Sequence, residues 1–246
     1  MDLLLAGIGG WLIAYLINYV ADVLPITRRF SPAACLHCEQ PFSLKSYLLF
    51  QPCPACGQRR SIRTWVVQIA FTLITMWLWF SPPVYLGFWV GTGLMAFFAL
   101  VAVIDLEYRL IMDPVSLFGA VLGLAIGTWQ KGLWGSLLGG VAGYGIMFAL
   151  FYLGILFNRL ISKIRHEEVS EEAMGFGDVN LAGILGLMLG WSDIAGALLT
   201  AIILGGLVSG LLLLGMIVLR RYKALTAIPY APFLLLGAII FLYIPK

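Results

Sequence analysis

Charge is what this sequence has least of. Only 11% of its 246 residues are Asp, Glu, Lys or Arg, against 61% hydrophobic residues and a mean hydropathy of +0.98. Soluble domains carry about 25% charge, so this chain has too little polar surface to cover a water-facing exterior. That excludes soluble, disordered and collagen-like classes. Histidine is nearly absent, with only His37 and His166, both in polar stretches, which argues against bis-histidine haem ligation. There is no Gly-x-Ser-x-Gly elbow and no His-Glu-x-x-His pair, so serine-hydrolase and zincin chemistry lack their carriers. The pairs Gly139-Gly140 and Gly205-Gly206 fall inside apolar runs and lack phosphate-loop context. Met1-Asp2-Leu3 lacks the basic start of a cleavable signal, so the first apolar run reads as a retained helix.

What is present is long, continuous and apolar. The uncharged intervals are 3–21, 64–104, 114–130, 132–158, 179–192, 194–219 and 224–245, and Ser81-Pro82-Pro83 divides the second into 64–80 and 84–104. Alternating strands of a lipid-facing barrel are much shorter than these runs. The fold class predicted is therefore an all-α polytopic membrane protein with about eight transmembrane helices. The interval 179–192 is short for a span of about 20 residues, and reaches that length only with the stretch from about Ala173, Asp178 included. Loops 22–63, 105–113, 159–178 and 220–223 hold thirteen Lys and Arg, against Lys131 and Lys246 on the other side. The positive-inside rule then places those loops in the cytoplasm and both termini outside. The organisation expected is a first helix in 1–24, a cytoplasmic loop in 25–63 and a seven-helix core in 64–246.

All four cysteines fall in that loop, as Cys35-Leu36-His37-Cys38 and Cys53-Pro54-Ala55-Cys56. Two Cys-x-x-Cys knuckles in a reducing compartment suit one tetrahedral thiolate site, the alternatives being four small buried hydrophobes or a redox or iron–sulfur role. The expected metal is Zn2+, held by Cys35, Cys38, Cys53 and Cys56 in a structural role, with His37 a bystander. Such a metal would fold a loop too small and polar to hold itself together. The six basic residues of the loop, Arg28, Arg29, Lys45, Arg59, Arg60 and Arg63, suit anionic lipid at least as well as nucleic acid, and serve equally as topology signals. No nucleic-acid partner is expected. Glu167, Glu168, Glu171 and Glu172 read as a solvated stretch.

Ionisable residues beside membrane helices are candidates for function. Asp105 ends one span and Asp178 opens another, and the topology brings both to the cytoplasmic edge although they lie 73 positions apart. Two carboxylates at one depth can share a proton and divide acid and base work. The glycines beside Asp178 offer positive φ and close approach by a substrate backbone. Spacing alone leaves the alternative open that Asp178 caps a helix or lines an ion path. Asp193 falls on the outer side and reads as a loop or cap residue.

Together these segments resemble bacterial type IV prepilin peptidases, membrane aspartic proteases of the Gly-x-Gly-Asp class. Ile104-Asp105-Leu106-Glu107-Tyr108-Arg109-Leu110-Ile111 and Gly175-Phe176-Gly177-Asp178 are similar to the two catalytic blocks. Asn18 to Pro25, the paired Cys-x-x-Cys loop, Ile62-Arg63 and Ile228-Pro229-Tyr230-Ala231-Pro232-Phe233 resemble other family segments. The resemblance implies a catalytic pair, Asp105 and Asp178, and an endopeptidase that removes the basic leader of type IV prepilins or type II secretion pseudopilins at the inner membrane. It also raises N-methylation of the new terminus with S-adenosylmethionine, as in many members. Asn180 stands where the family usually has lysine, Met112 in place of a proline and Gln68 in place of glutamate. The Asn180 change is expected to bear on the acidity of the pair. An ion- or proton-coupled transporter and a catalytically silent prepilin-binding scaffold are the alternatives.

Overall fold

A computed structural model describes residues 2–35, 37–165, 175–218 and 229–244. Among these are eight helices: α1 (Asp2–Thr27), α2 (Leu44–Leu48), α3 (Ile62–Phe80), α4 (Gly87–Tyr108), α5 (Asp113–Arg165), α6 (Phe176–Leu189), α7 (Asp193–Val218) and α8 (Ala231–Tyr243). The described residues contain no strand beyond an isolated bridge between Ala34 and Pro41. The all-α membrane class expected from composition is the class observed.

Among the described residues, five helical stretches are long and apolar enough to cross a membrane: Asp2–Thr27, Ile62–Phe80, Gly87–Tyr108, Asp113–Leu160 and Asp193–Met216. The fourth is really two arms. Gly132 sits at φ 75° inside α5, a left-handed conformation that glycine adopts without steric cost, and it separates 113–131 from 133–165. The break falls beside Lys131, where the charge punctuation of the sequence places it. α6 and α8 have 14 and 13 residues. At 1.5 Å per residue they measure about 20 Å, short of a hydrocarbon core about 30 Å thick.

The chain forms two compact units, Met1–Ile104 and Asp105–Lys246. In the first, α1 packs on α3 through a buried polar ladder. Asn18 donates to the Thr64 carbonyl (3.2 Å) and to Gln68 Oε1 (3.4 Å), and Gln68 Nε2 donates to the Trp11 carbonyl at 2.6 Å. Gly10 allows the helices to touch, since a Cβ there would meet the Thr75 side chain at 2.8 Å. Interhelical amide bonds and small contact residues are how apolar helices recognise one another in lipid, where burial of hydrocarbon gives no preference.

The second unit is built around α6. It lies against α5, and glycines from both arms face it: a Cβ on Gly127 would collide with the Leu187 carbonyl, and one on Gly139 with the Gly186 carbonyl. Ser136 Oγ donates to the Leu187 carbonyl at 2.8 Å. α7 packs on α8, and α8 also reaches α6. Lys131 pairs with Asp193 at 3.0 Å. Asp193 opens α7, the helix-terminal position expected of it.

The loop between α1 and α3 has more of a core than its polarity suggests. Val23, Ala33 and Tyr47 are buried together under Tyr15, Tyr19 and Phe42. Tyr19 donates to the Ser31 carbonyl at 2.8 Å and Tyr15 to that of Leu48. The aromatic rings are spread over 32 positions of sequence, so no local pattern announces this cluster. The acidic stretch Glu167 to Glu172 and the basic residues Arg220, Arg221 and Lys223 lie outside the described residues.

Candidate active site

Asp105 is in the last turn of α4 and Asp178 in the first turn of α6. Their exposures are 5% and 7%, unusually low for carboxylates, which are almost never fully buried without a partner. They lie within Coulombic reach of each other. The structure thus brings together the two aspartates that the sequence singles out.

Each carboxylate is held by a backbone N–H from a helix start. The Ala231 amide, at the head of α8, donates to Asp105. The Gly175 amide donates to Asp178. Gly175 is the N-cap of α6, so Asp178 occupies the third helical position and reaches back to the cap amide, half of a capping box. Asp178 is therefore not the N-cap itself, but it does carry a capping contact. A helix N-terminus also favours negative charge. Asp105 Oδ2 is buried without a hydrogen-bond partner, an acceptor left open toward a donor such as a water or a peptide N–H. The Arg109 charge bears on Asp105. Its backbone N–H donates to the Asp105 carbonyl at 2.8 Å, with Arg109 at φ 52° as the chain leaves α4.

The glycines act differently from the expectation of positive φ. Gly175 has φ −74°, and Gly177 is not among the residues with positive φ. Gly177 is instead a matter of space, because a Cβ there would lie 2.9 Å from Ile111 Cβ. Gly175 leaves room beside Asp178 Oδ2, 3.7 Å from where its own Cβ would be.

Tyr230 is the site residue that sequence reasoning missed. It is half-buried and feels the Asp178 charge, and its neighbour Ala231 supplies the amide to Asp105. The only signal was its place in the Pro229-Tyr230-Ala231-Pro232-Phe233 segment. Ile228 of that segment lies outside the described residues.

Asn180 lies two residues along α6 from Asp178. Two residues along a helix turn the side-chain direction by about 200°, and Asn180 lines a groove of about 640 Å³ with Asp113, Ser116, Tyr144 and Gly183. It lies between α6 and the α5 arms. Gln68, the other polar departure, is a 0% exposed member of the α1–α3 ladder.

In the first unit the four cysteine sulfurs lie within 4.8 Å of one another. Cys35 and Cys56 sulfurs are 3.6 Å apart and those of Cys38 and Cys53 are 3.5 Å apart. Four sulfurs at about 2.3 Å from a zinc ion would sit about 3.8 Å from each other, so this arrangement fits a tetrahedral metal and not a pair of disulfides. The two knuckles repeat one backbone pattern. Cys35 N–H donates to Gln40 and Glu39 N–H back to Cys35, while Cys53 N–H donates to Gln58 and Gly57 N–H back to Cys53. Glu39 and Gly57, the matching residues, both have positive φ. Backbone N–H groups of Cys56 and Ala55 pull the Cys53 thiol down to about 6, and that of His37 lowers Cys35. Burial and the neighbouring sulfurs push Cys38 up to about 12 and raise Cys56, so without a cation the four sulfurs do not all carry charge, and a bound cation would be what favours four thiolates. His37 is exposed and outside the sulfur cluster.

Comparisons with known proteins agree with this anatomy. Residues 92–210 match the Type IV leader peptidase family, a stretch that contains both aspartates. Three proteins named prepilin leader peptidase/N-methyltransferase align over most of the chain. That of Aeromonas hydrophila is 28% identical over 225 residues, covering 87% of this chain and 71% of that protein. That of Pseudomonas putida is 30% identical over 193 residues, 77% of this chain and 62% of that protein. That of Pectobacterium carotovorum subsp. carotovorum is 28% identical over 236 residues, 89% and 77% respectively. No solved structure gives a significant match. The family match spans the carboxylate pair and the relatives align over most of the chain, so the chain is similar to the type IV leader peptidases along most of its length.

Proposed function

We propose that this protein is a membrane aspartic endopeptidase that removes the basic leader from type IV prepilins or pseudopilins, with Asp105 and Asp178 as its catalytic pair. The observation that carries the reading is the burial of two carboxylates from distant helices within reach of each other. Like charges so placed cannot both ionise cheaply, so the pair holds one proton between them. One carboxylate takes a proton from water as its oxygen adds to the scissile carbonyl. The other gives its proton to the departing amide nitrogen as the C–N bond breaks, and the pair is restored. The open Asp105 Oδ2 is suited to hold the water. The amides of Ala231 and Gly175 fix the carboxylates without supplying a competing proton.

A precursor whose apolar helix already lies in the bilayer arrives oriented, which lowers the entropic barrier to attack. The reading places the peptidase in the bacterial inner membrane, with the pair and the cysteine loop on the cytoplasmic side and both termini outside. Cys35, Cys38, Cys53 and Cys56 would hold zinc. Four thiolates close the coordination sphere, so the metal supplies a cross-link between the knuckles and no Lewis-acid chemistry. N-methylation with S-adenosylmethionine, carried in the names of the relatives, is the second activity of this reading.

The test is a proteoliposome assay in which prepilin cleavage and ion flux are read from the same preparation. Cleavage without flux is the outcome expected. Flux with an intact prepilin would replace the peptidase by the transporter, and tight prepilin binding without cleavage by the scaffold.

A further inference from the structure

The basic residues of the cysteine loop have no part in that chemistry, yet three of them converge. Arg59, Arg60 and Arg63 line a cleft of about 380 Å³ with Asp22, Gln58 and Ser61, more than ten times the ~30 Å³ share of one water. Asp22 is the only acid among its described lining residues, and its carboxylate is fully engaged. Oδ2 accepts from the Tyr47 hydroxyl at 3.0 Å and from Arg60 at 3.3 Å, and Oδ1 accepts from Arg63. Two guanidinium groups thus share one negative charge, and Arg59 at the exposed rim adds a third cation.

Arg60 is deeply set. Its side chain is 10% exposed and its guanidinium lies over the rings of Phe42 and Tyr47, 4.6 and 3.9 Å from their centres. Its Nε is buried with no partner. A buried guanidinium held rigidly by stacking, with a donor to spare and surplus positive charge around it, is a receptor for an oxyanion.

The position of the cleft identifies the source of that anion. Asp22 is in the last turns of α1 and Arg63 in the first turn of α3, so the cleft lies at the ends of two helices long and apolar enough to cross a membrane, where a bilayer spanned by them would put its headgroups. Ile62, between Ser61 and Arg63, is 82% exposed, and Ile26, one turn beyond Asp22, is exposed too, as are Phe30 and Trp65. An apolar rim beside a cationic cleft suits a molecule with an anionic head and a hydrocarbon tail. We propose that this cleft binds the phosphate of an anionic phospholipid, with its acyl chains against the Ile26 and Ile62 flank. The inference is independent of the peptidase reading, since no part of the cleft belongs to the carboxylate pair.

Native mass spectrometry of the full-length protein in neutral detergent, offered equal phosphatidylglycerol and phosphatidylcholine, tests it. The expected result is preferential retention of phosphatidylglycerol, weakened about fivefold by each of Arg60→Gln and Arg59→Gln, and unchanged by Arg28→Gln outside the cleft. Arg60→Gln also breaks the ion pair with Asp22, so thermal unfolding is followed alongside. Arg59→Gln, on the rim, carries the test if Arg60→Gln does not fold. Equal retention of both lipids, or an equal loss with Arg28→Gln, would overturn the proposal. So would inorganic phosphate protecting the protein from unfolding as well as phosphatidylglycerol does, which would make the cleft a site for a free anion.

Discussion

At the residue scale the account rests on where charge is tolerated. Asp105 and Asp178 are legible in the sequence because a carboxylate beside an apolar run is costly and therefore conspicuous. Tyr230 and the Ala231 amide are not, since an uncharged residue at the head of a late helix carries no mark of what it will face. Asp105→Asn and Asp178→Asn keep shape and remove one exchangeable proton. Each should lower the cleavage rate by about 10²–10⁴-fold with unchanged thermal unfolding, measured by initial rates on a purified prepilin. A rate within twofold of wild type for either would remove that residue from the pair. The cysteines make a pH prediction. Metal competes with protons for thiolates, so acid should strip the metal from the cluster. Zinc content after dialysis should therefore hold at neutral pH and drop by about pH 5, whereas loss already at about pH 7.5 would contradict the thiolate cluster.

At the scale of elements, contact in the second unit is made by glycine. α6 is short and has no side-chain cap bond at its N-cap, so its stability comes from close seating against both arms of α5. Gly186→Val would put branched carbons onto the Gly139 backbone. Overpacking of this kind costs about 1–3 kcal/mol, and a fall in the thermal midpoint of the detergent-solubilised protein would report it. An unchanged midpoint would mean the helices do not approach as described. In the first unit the ladder of Asn18, Gln68 and Trp11 replaces hydrophobic recognition. Gln68→Leu removes one acceptor and one donor and leaves the Asn18 amide short of a partner, at a cost of about 1–3 kcal/mol, read by the same assay. The break in α5 beside Lys131 follows from the charge pattern, because a cation in mid-run marks the end of a span. The brevity of α6 and α8 does not follow, because apolar composition continues past the residues that keep helical geometry. Gly190 at φ 77° turns the chain at the end of α6, inside a run the composition reads as continuous.

At the scale of the molecule, the sequence order of first helix, cysteine loop and carboxylate core is visible in composition alone. The two units, Met1–Ile104 and Asp105–Lys246, divide it inside α4, at the charge of Asp105 that ends the apolar run. The carboxylate pair and the amides that hold it lie wholly in the second unit, and the metal-type cluster and the arginine cleft wholly in the first. Chelation should accordingly loosen residues 28–61, read as faster proteolysis there, and leave most helical circular dichroism in place. The aromatic cluster around Tyr47 retains part of the loop's order without metal, so cleavage in the loop should rise severalfold short of complete collapse. Wholesale loss of helicity on chelation would contradict this division of labour. The central claim, that this chain is a leader peptidase, is tested most directly by the intact mass of a purified prepilin after incubation with the protein and S-adenosylmethionine. The account predicts loss of the leader, with a methyl increment on the mature product from the second activity. An unchanged prepilin mass, from folded enzyme and a cognate substrate, would contradict it.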